Sequence, residues 1–209
     1  KKAADSIYKA EAELKAAESK IRDERAKKMA EVGDLKGKEK SKKESKAEDL
    51  RPVNFATDYA ASVEKVKAQI KLNSSTKSAV ISALNLSYFL VQQKQFSEAL
   101  SVLDLPTRKT ANDEVLSGLW LMSRGLVFLE NQKFDEALKA YGLVLSSQSF
   151  KVLHPEALLK SGVALELKGD RAKARETYEK LAREFPQSEA SRTAQQFLRL
   201  LEMNQAQQG

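Results

Sequence analysis

The chain has 209 residues, a formal net charge of +7 and no cysteine. That length is enough for a sizeable core in one or two domains, and the missing cysteine rules out a disulfide framework and any thiolate metal site. Glycine and proline number only 8 and 4, no stretch alternates with the period of a β-strand, and no run of ~18 apolar residues is present to span a bilayer, so the predicted fold class is all-α.

Residues 1–32 read as one long polar helix. Ile7, Leu14 and Ile21 recur every seven residues with Ala10 and Ala17 between them, a thin coiled-coil-like seam that Lys28 ends. Such a helix serves as a stalk or a dimerising element, or packs weakly on its own chain. Residues 33–51 read as a flexible linker: Gly33 and Gly37 interrupt the helix, and Lys36, Lys38, Lys40, Lys42, Lys43 and Lys46 follow among acids with almost no apolar residue, too little to offset the entropy of ordering. A tract of this kind is a solvated tether, or a contact for anionic lipid or nucleic acid. The positive charge of the whole chain is not gathered on one face, so nucleic acid is not the expected partner. Gly33 to Lys38 is one residue short of a phosphate-binding loop, Glu39 stands where Ser or Thr is needed, and no apolar strand precedes it. Phe55, Tyr59, Val63, Val66 and Ile70 then fall on one helical face, which predicts an amphipathic helix over 53–72 acting as a half-repeat or an end cover.

From residue 76 onward the chain repeats. Phe134-Asp135-Glu136-Ala137-Leu138 echoes Phe96-Ser97-Glu98-Ala99-Leu100, and Gly169-Asp170-Arg171-Ala172-Lys173-Ala174 is a third copy. Ala99, Ala137 and Ala174 are 38 and 37 residues apart; Ser87, Gly125 and Gly162 lie twelve residues before them, and Leu103, Tyr141 and Tyr178 four after. Small residues where two helices cross, with large ones filling the flanks, mark a close helix pair, and a period of this length marks a solenoid. The predicted pairs are 76–93 with 96–104, 113–131 with 134–147, and 155–168 with 171–184. Pro186 stops the last of these, Ala190, Ala194, Phe197, Leu198 and Leu201 make one face of a closing helix, and the last residues, from 205, form a tail.

This pattern resembles the tetratricopeptide repeat: Leu158, Gly162, Leu165, Ala174, Tyr178 and Pro186 match it well, Leu121, Gly125, Phe128, Phe134, Ala137 and Tyr141 nearly as well, and the copy at 83–103 is degenerate. The resemblance covers residues 76–204 and implies a right-handed superhelical solenoid of about three helix pairs with an N-terminal helical extension and a capping helix. It also implies a non-catalytic scaffold for protein–protein interaction. The usual period is about 34 residues, so each junction here holds three or four extra.

Nothing in the sequence builds a catalytic, metal or cofactor site. His154, the single histidine, precedes Pro155 at a helix start, and no nucleophile elbow or buried carboxylate pair accompanies it. The first helices of the pairs are expected to line a concave groove with Leu84, Tyr88, Val91, Met122, Leu126, Leu129, Leu159, Val163 and Glu166. These residues are not the Lys and Asn of tetratricopeptide domains that clamp a chaperone's terminal carboxylate. They suit an amphipathic helix or an apolar segment, supplied by a partner, by the chain's own 53–72 helix or by a second copy. The charged N-terminal helix, lysine-rich tether and short array, with Glu184-Phe185-Pro186-Gln187-Ser188 before the last helix, are similar to bacterial envelope proteins: the membrane-anchored ancillary subunit of the secretory translocon and the cell-division coordinator family. That resemblance implies a periplasmic module held by an anchor ahead of Lys1, with envelope or secretion machinery as partner; a cytoplasmic location is the alternative.

Overall fold

The computed structural model describes residues 2–33, 54–106 and 113–206. The lysine-rich tract expected as a linker falls outside them, apart from Gly33. All regular structure in the described residues is helical: α1 (Lys2–Gly33), α2 (Phe55–Asp58), α3 (Ala60–Leu72), α4 (Lys77–Gln92), α5 (Phe96–Leu103), α6 (Glu114–Glu130), α7 (Phe134–Leu145), a 3₁₀ segment (Gln148–Leu153), α8 (His154–Lys168), α9 (Arg171–Glu184) and α10 (Glu189–Ala206). Two compact units divide between Ser82 and Ala83, inside α4.

In the first unit, α1 packs on α3. Ile7, Ala10 and Leu14 are buried, Ile21 is half-buried, and the residues from Arg22 to Ala30 are exposed. The first two heptads of the seam are therefore used within the chain. Glu13 pairs with Lys65 at 2.7 Å, and Glu18 and Arg25 both act on the Tyr59 phenol, so the two helices run antiparallel. The single helix expected over 53–72 is broken at Tyr59, whose φ/ψ of −127/−26° leaves the helical region. The break has a local cause. Asn54 accepts from the Ala56 N–H at 3.0 Å while its own N–H donates to the Asp58 carboxylate at 3.0 Å, closing one short capped turn before the chain restarts as α3. Val63, Val66 and Ile70 on α3 are wholly buried.

The second unit is a row of helices, each packed on the next: α5 on α6, α6 on α7, α7 on α8, α8 on α9 and α9 on α10. The solenoid expected from the repeat is what the chain forms. Two apolar clusters fill it. One joins Leu129, Ala137, Tyr141 and Val144 to Ala157 and Ala164 of α8. The other joins Leu158, Leu159, Ala174, Tyr178 and Leu181 to Ala190, Ala194 and Leu201 of α10, which makes α10 the cover of the last pair. Helix α10 continues through Ala206, two residues into the stretch expected as a tail. The extra residues of the long period have a place at the second junction. There the 3₁₀ segment packs against α6, α7 and α8, and Leu153 and Phe150 lean so closely on Gly118 that a Cβ there would lie 2.6 Å from Leu153 Cδ1.

Candidate partner-binding groove

The spacing of small and large residues has a direct structural counterpart. A Cβ on Gly125 would stand 2.3 Å from Tyr141 Cε1, and one on Gly162 would stand 2.2 Å from Tyr178 Cε1, distances that no real side chain tolerates. Each tyrosine ring lies flat against bare helix backbone, and both are 0 % exposed. In the degenerate first copy Ser87 and Leu103 take these places.

The turns inside the pairs repeat as closely. Lys94, Gln132 and Gly169 adopt positive φ of 58°, 58° and 93°, at the 38- and 37-residue spacing of the alanines. At each, the N–H of that residue donates to the carbonyl three back, and the next N–H to the carbonyl five back: Gln95 to Leu90 at 2.8 Å, Lys133 to Phe128 at 2.8 Å, Asp170 to Leu165 at 2.9 Å. This is the Schellman termination, which satisfies carbonyls that a helix end leaves open. The same turn three times over fixes how each first helix delivers the chain to its second.

Junctions between pairs are held by side chains that bond a backbone carbonyl at or just past the end of the preceding helix. Trp120 Nε1 donates to the Leu103 carbonyl at 2.8 Å. His154 Nε2 bonds the Ser147 carbonyl at 2.9 Å; a carbonyl only accepts, so this nitrogen carries the proton. The His154 ring meets Phe185 edge-on at 6.4 Å. The single histidine is thus a buried junction residue. Sequence reasoning missed the Trp120 bond, because it spans 17 residues and nothing local announces it. It also missed a hollow of ≈ 660 Å³ beside the same junction, walled by Trp120, Leu121, Phe128 and Leu143. Helix α5 has 8 residues where α7 has 12 and α9 has 14, and Asp104, just past its end, lines this space. Arg124 lies over Trp120 at 4.8 Å and over Phe128 at 5.8 Å while pairing with Asp104 at 2.8 Å.

The nine residues expected to line the groove do not offer equal surface. Tyr88 is 57 % exposed. Leu84, Met122, Leu126, Val163 and Glu166 are half-buried. Val91, Leu129 and Leu159 are buried, which corrects their assignment to the open face. Leu129 shares its cluster with Ala157 and Ala164 of α8, and Leu159 shares its own with Ala190, Ala194 and Leu201 of α10, so in each case the following element covers that flank of the helix. The accessible surface is carried by the other six. One of them is already engaged: the Tyr178 hydroxyl donates to Glu166 Oε2 at 3.1 Å. Its counterpart, the Tyr141 hydroxyl, is buried without a hydrogen-bond partner, because Leu129 stands at the position of Glu166 one repeat earlier. Burial first, and then nearby carboxylates, push both phenols well above their ordinary pKa. Among the described residues no group of His, Asp or Glu is arranged to hold a metal ion.

The Tetratricopeptide repeat family model matches residues 122–189, from the second half of α6 to the start of α10. The match includes the Gly125–Tyr141 and Gly162–Tyr178 pairs, two of the three Schellman turns and four of the six accessible groove residues, Met122, Leu126, Val163 and Glu166; Leu84 and Tyr88 lie outside it. No curated protein and no solved structure matches the chain.

Proposed function

We propose that the chain is a non-catalytic scaffold that holds a partner's helix or apolar segment on the exposed face of α4, α6 and α8. Tetratricopeptide repeats generally mediate protein–protein interaction, and a repeat of this family is matched at 122–189. The observation that carries the reading is the surface itself. Tyr88, Leu84, Met122, Leu126 and Val163 remain wholly or partly exposed on successive first helices, although apolar residues at the neighbouring positions are packed away. Soluble chains rarely leave such a stripe without a use, and an aromatic and a Met suit adaptable packing. A photo-crosslinking residue at position 88 tests it in cells. A discrete adduct is expected that disappears in the Leu126→Glu variant, with the circular dichroism spectrum unchanged. An adduct that persists in the folded variant rejects the groove.

The proposed setting is the bacterial envelope, with the chain held on the periplasmic side of the inner membrane. The motivation is the charged helix, lysine-rich tract and short array taken together. Fractionation of the native protein tests it: recovery with inner-membrane fractions and protease access from the periplasm are expected, and recovery in the cytosol rejects it.

A further inference from the structure

The stripe has a charge of its own. On α6 it ends at Glu130, and on α8 it runs Glu156, Lys160, Val163, Glu166 at steps of four, three and three. Three carboxylates and one ammonium thus face the same side in a chain whose net charge is +7. Lys160 lies 3.6 Å from Glu156, a loose pair, and Glu130 makes no ion pair among the described residues. A second feature lies on α7, which packs on both of these helices. Tyr141 is 0 % exposed and its hydroxyl has no hydrogen-bond partner; Glu156 of α8 and Glu130 of α6 are the charges close enough to act on it. One repeat later Glu166 occupies the corresponding place and takes the Tyr178 hydroxyl. A buried polar atom left without a partner is rare and costly, and here Val163 of α8 packs against the cluster that holds the ring.

We propose that the groove selects a basic amphipathic helix, whose apolar residues seat on Tyr88, Met122, Leu126 and Val163 and whose Lys or Arg residues meet Glu130, Glu156 and Glu166. This rests on the groove reading above and adds the sign of the partner. Helix-in-groove recognition takes its affinity from anchors at helical spacing, while rim charges choose among partners with similar anchors and raise the on-rate.

The test uses the full chain and two fluorescein-labelled 18-residue helices with the same Leu face, one carrying Lys and the other Glu on the polar face. The Lys helix is expected to bind more tightly than the Glu helix by roughly tenfold or more, since rim complementarity discriminates at that scale. Its affinity should fall as NaCl is raised from about 50 to 500 mM, through screening. The Glu130→Gln/Glu156→Gln variant should narrow the difference by roughly fivefold, two exposed pairs each worth a modest fraction of the total, and its thermal melt should match that of the parent. Leu126→Glu should remove binding of both helices. Equal binding of both helices, lost together in Leu126→Glu, overturns the charge selection and leaves the groove. Binding of the Lys helix that survives Leu126→Glu overturns both, because the contact then lies elsewhere, and so does the absence of binding by either helix.

Discussion

Two tyrosines on the same repeat position have opposite hydrogen-bond fortunes. Tyr178 reaches Glu166, whereas Tyr141 finds no acceptor, since position 129 is Leu. Both rings fill the space over a glycine, so removal of the hydroxyl alone leaves packing intact. Tyr178→Phe is expected to lower stability by about 1–2 kcal/mol, as a bond to a carboxylate is lost. Tyr141→Phe should be neutral or stabilising by up to ~1 kcal/mol, because it deletes an unsatisfied buried group. Urea unfolding of the two variants against the parent decides it, and equal losses would contradict the asymmetry. The same burial sets a pH dependence. Each phenol is raised in the folded state, so its contribution is fully present below the unfolded value of about 10 and is lost as pH climbs from there toward the folded value. Between about pH 7 and 9 these tyrosines should give no slope; above about pH 10 the parent should lose stability more steeply than a variant with Phe at both positions.

At the scale of elements, the three Schellman turns place different residues in one left-handed conformation. Glycine enters that region freely, and any residue with a Cβ is strained there. Gly169 is the unstrained copy; Lys94 and Gln132 hold φ of 58° under the constraint of the helices on either side. Gln132→Gly is expected to stabilise the chain by about 0.5–1 kcal/mol, and Gly169→Ala to destabilise it by about 1 kcal/mol, both read as shifts in denaturation midpoint. A loss on Gln132→Gly would mean that its side chain makes a contact worth more than the strain. These turns also show why the sequence disclosed some features and hid others. Gly125 and Gly162 betray their helix crossings because the ring sixteen residues on leaves no choice of residue. Gly169 betrays its turn in the same way, but Lys94 and Gln132 conceal theirs, since tertiary packing imposes the conformation. The break at Tyr59 was equally hidden: the apolar face of 55–70 continues across it, and only the Asn54–Asp58 capping pair ends the first turn. In the groove, helical spacing assigned the nine residues to α4, α6 and α8, and they lie on those helices. It did not disclose that the next repeat and α10 roll over one flank and bury Leu129 and Leu159, because that depends on contacts between helices far apart in sequence.

Across the molecule, stability in a row of helices is a sum of pair terms and junction terms, and the two junctions of the array are not alike. At the second, α7 and α8 share one apolar cluster, and the 3₁₀ segment closes the space between them. At the first, α5 is short and a hollow lies beside Trp120. Ala99 and Ala137 hold the same repeat position, and both are 0 % exposed. An aspartate at either brings a carboxylate into a site without room or partner, at several kcal/mol. Their neighbourhoods differ, however. Ala137 lies in the cluster that binds α6, α7 and α8 together, so its loss removes a pair term and a junction term at once. Ala137→Asp is therefore expected to lower the urea midpoint further than Ala99→Asp. The single tryptophan supplies a second readout, because Trp120 bonds the last turn of α5 and reports on the first junction. In Ala99→Asp its fluorescence should change at lower urea than the helical circular dichroism signal, as the first pair detaches while the rest of the array persists. In Ala137→Asp the two probes should move together, since the lost cluster is the one that couples the middle pair to the end of the row. Coincident midpoints for the two variants by both probes would show that the unequal junctions carry equal energy, and that the array unfolds as one cooperative block.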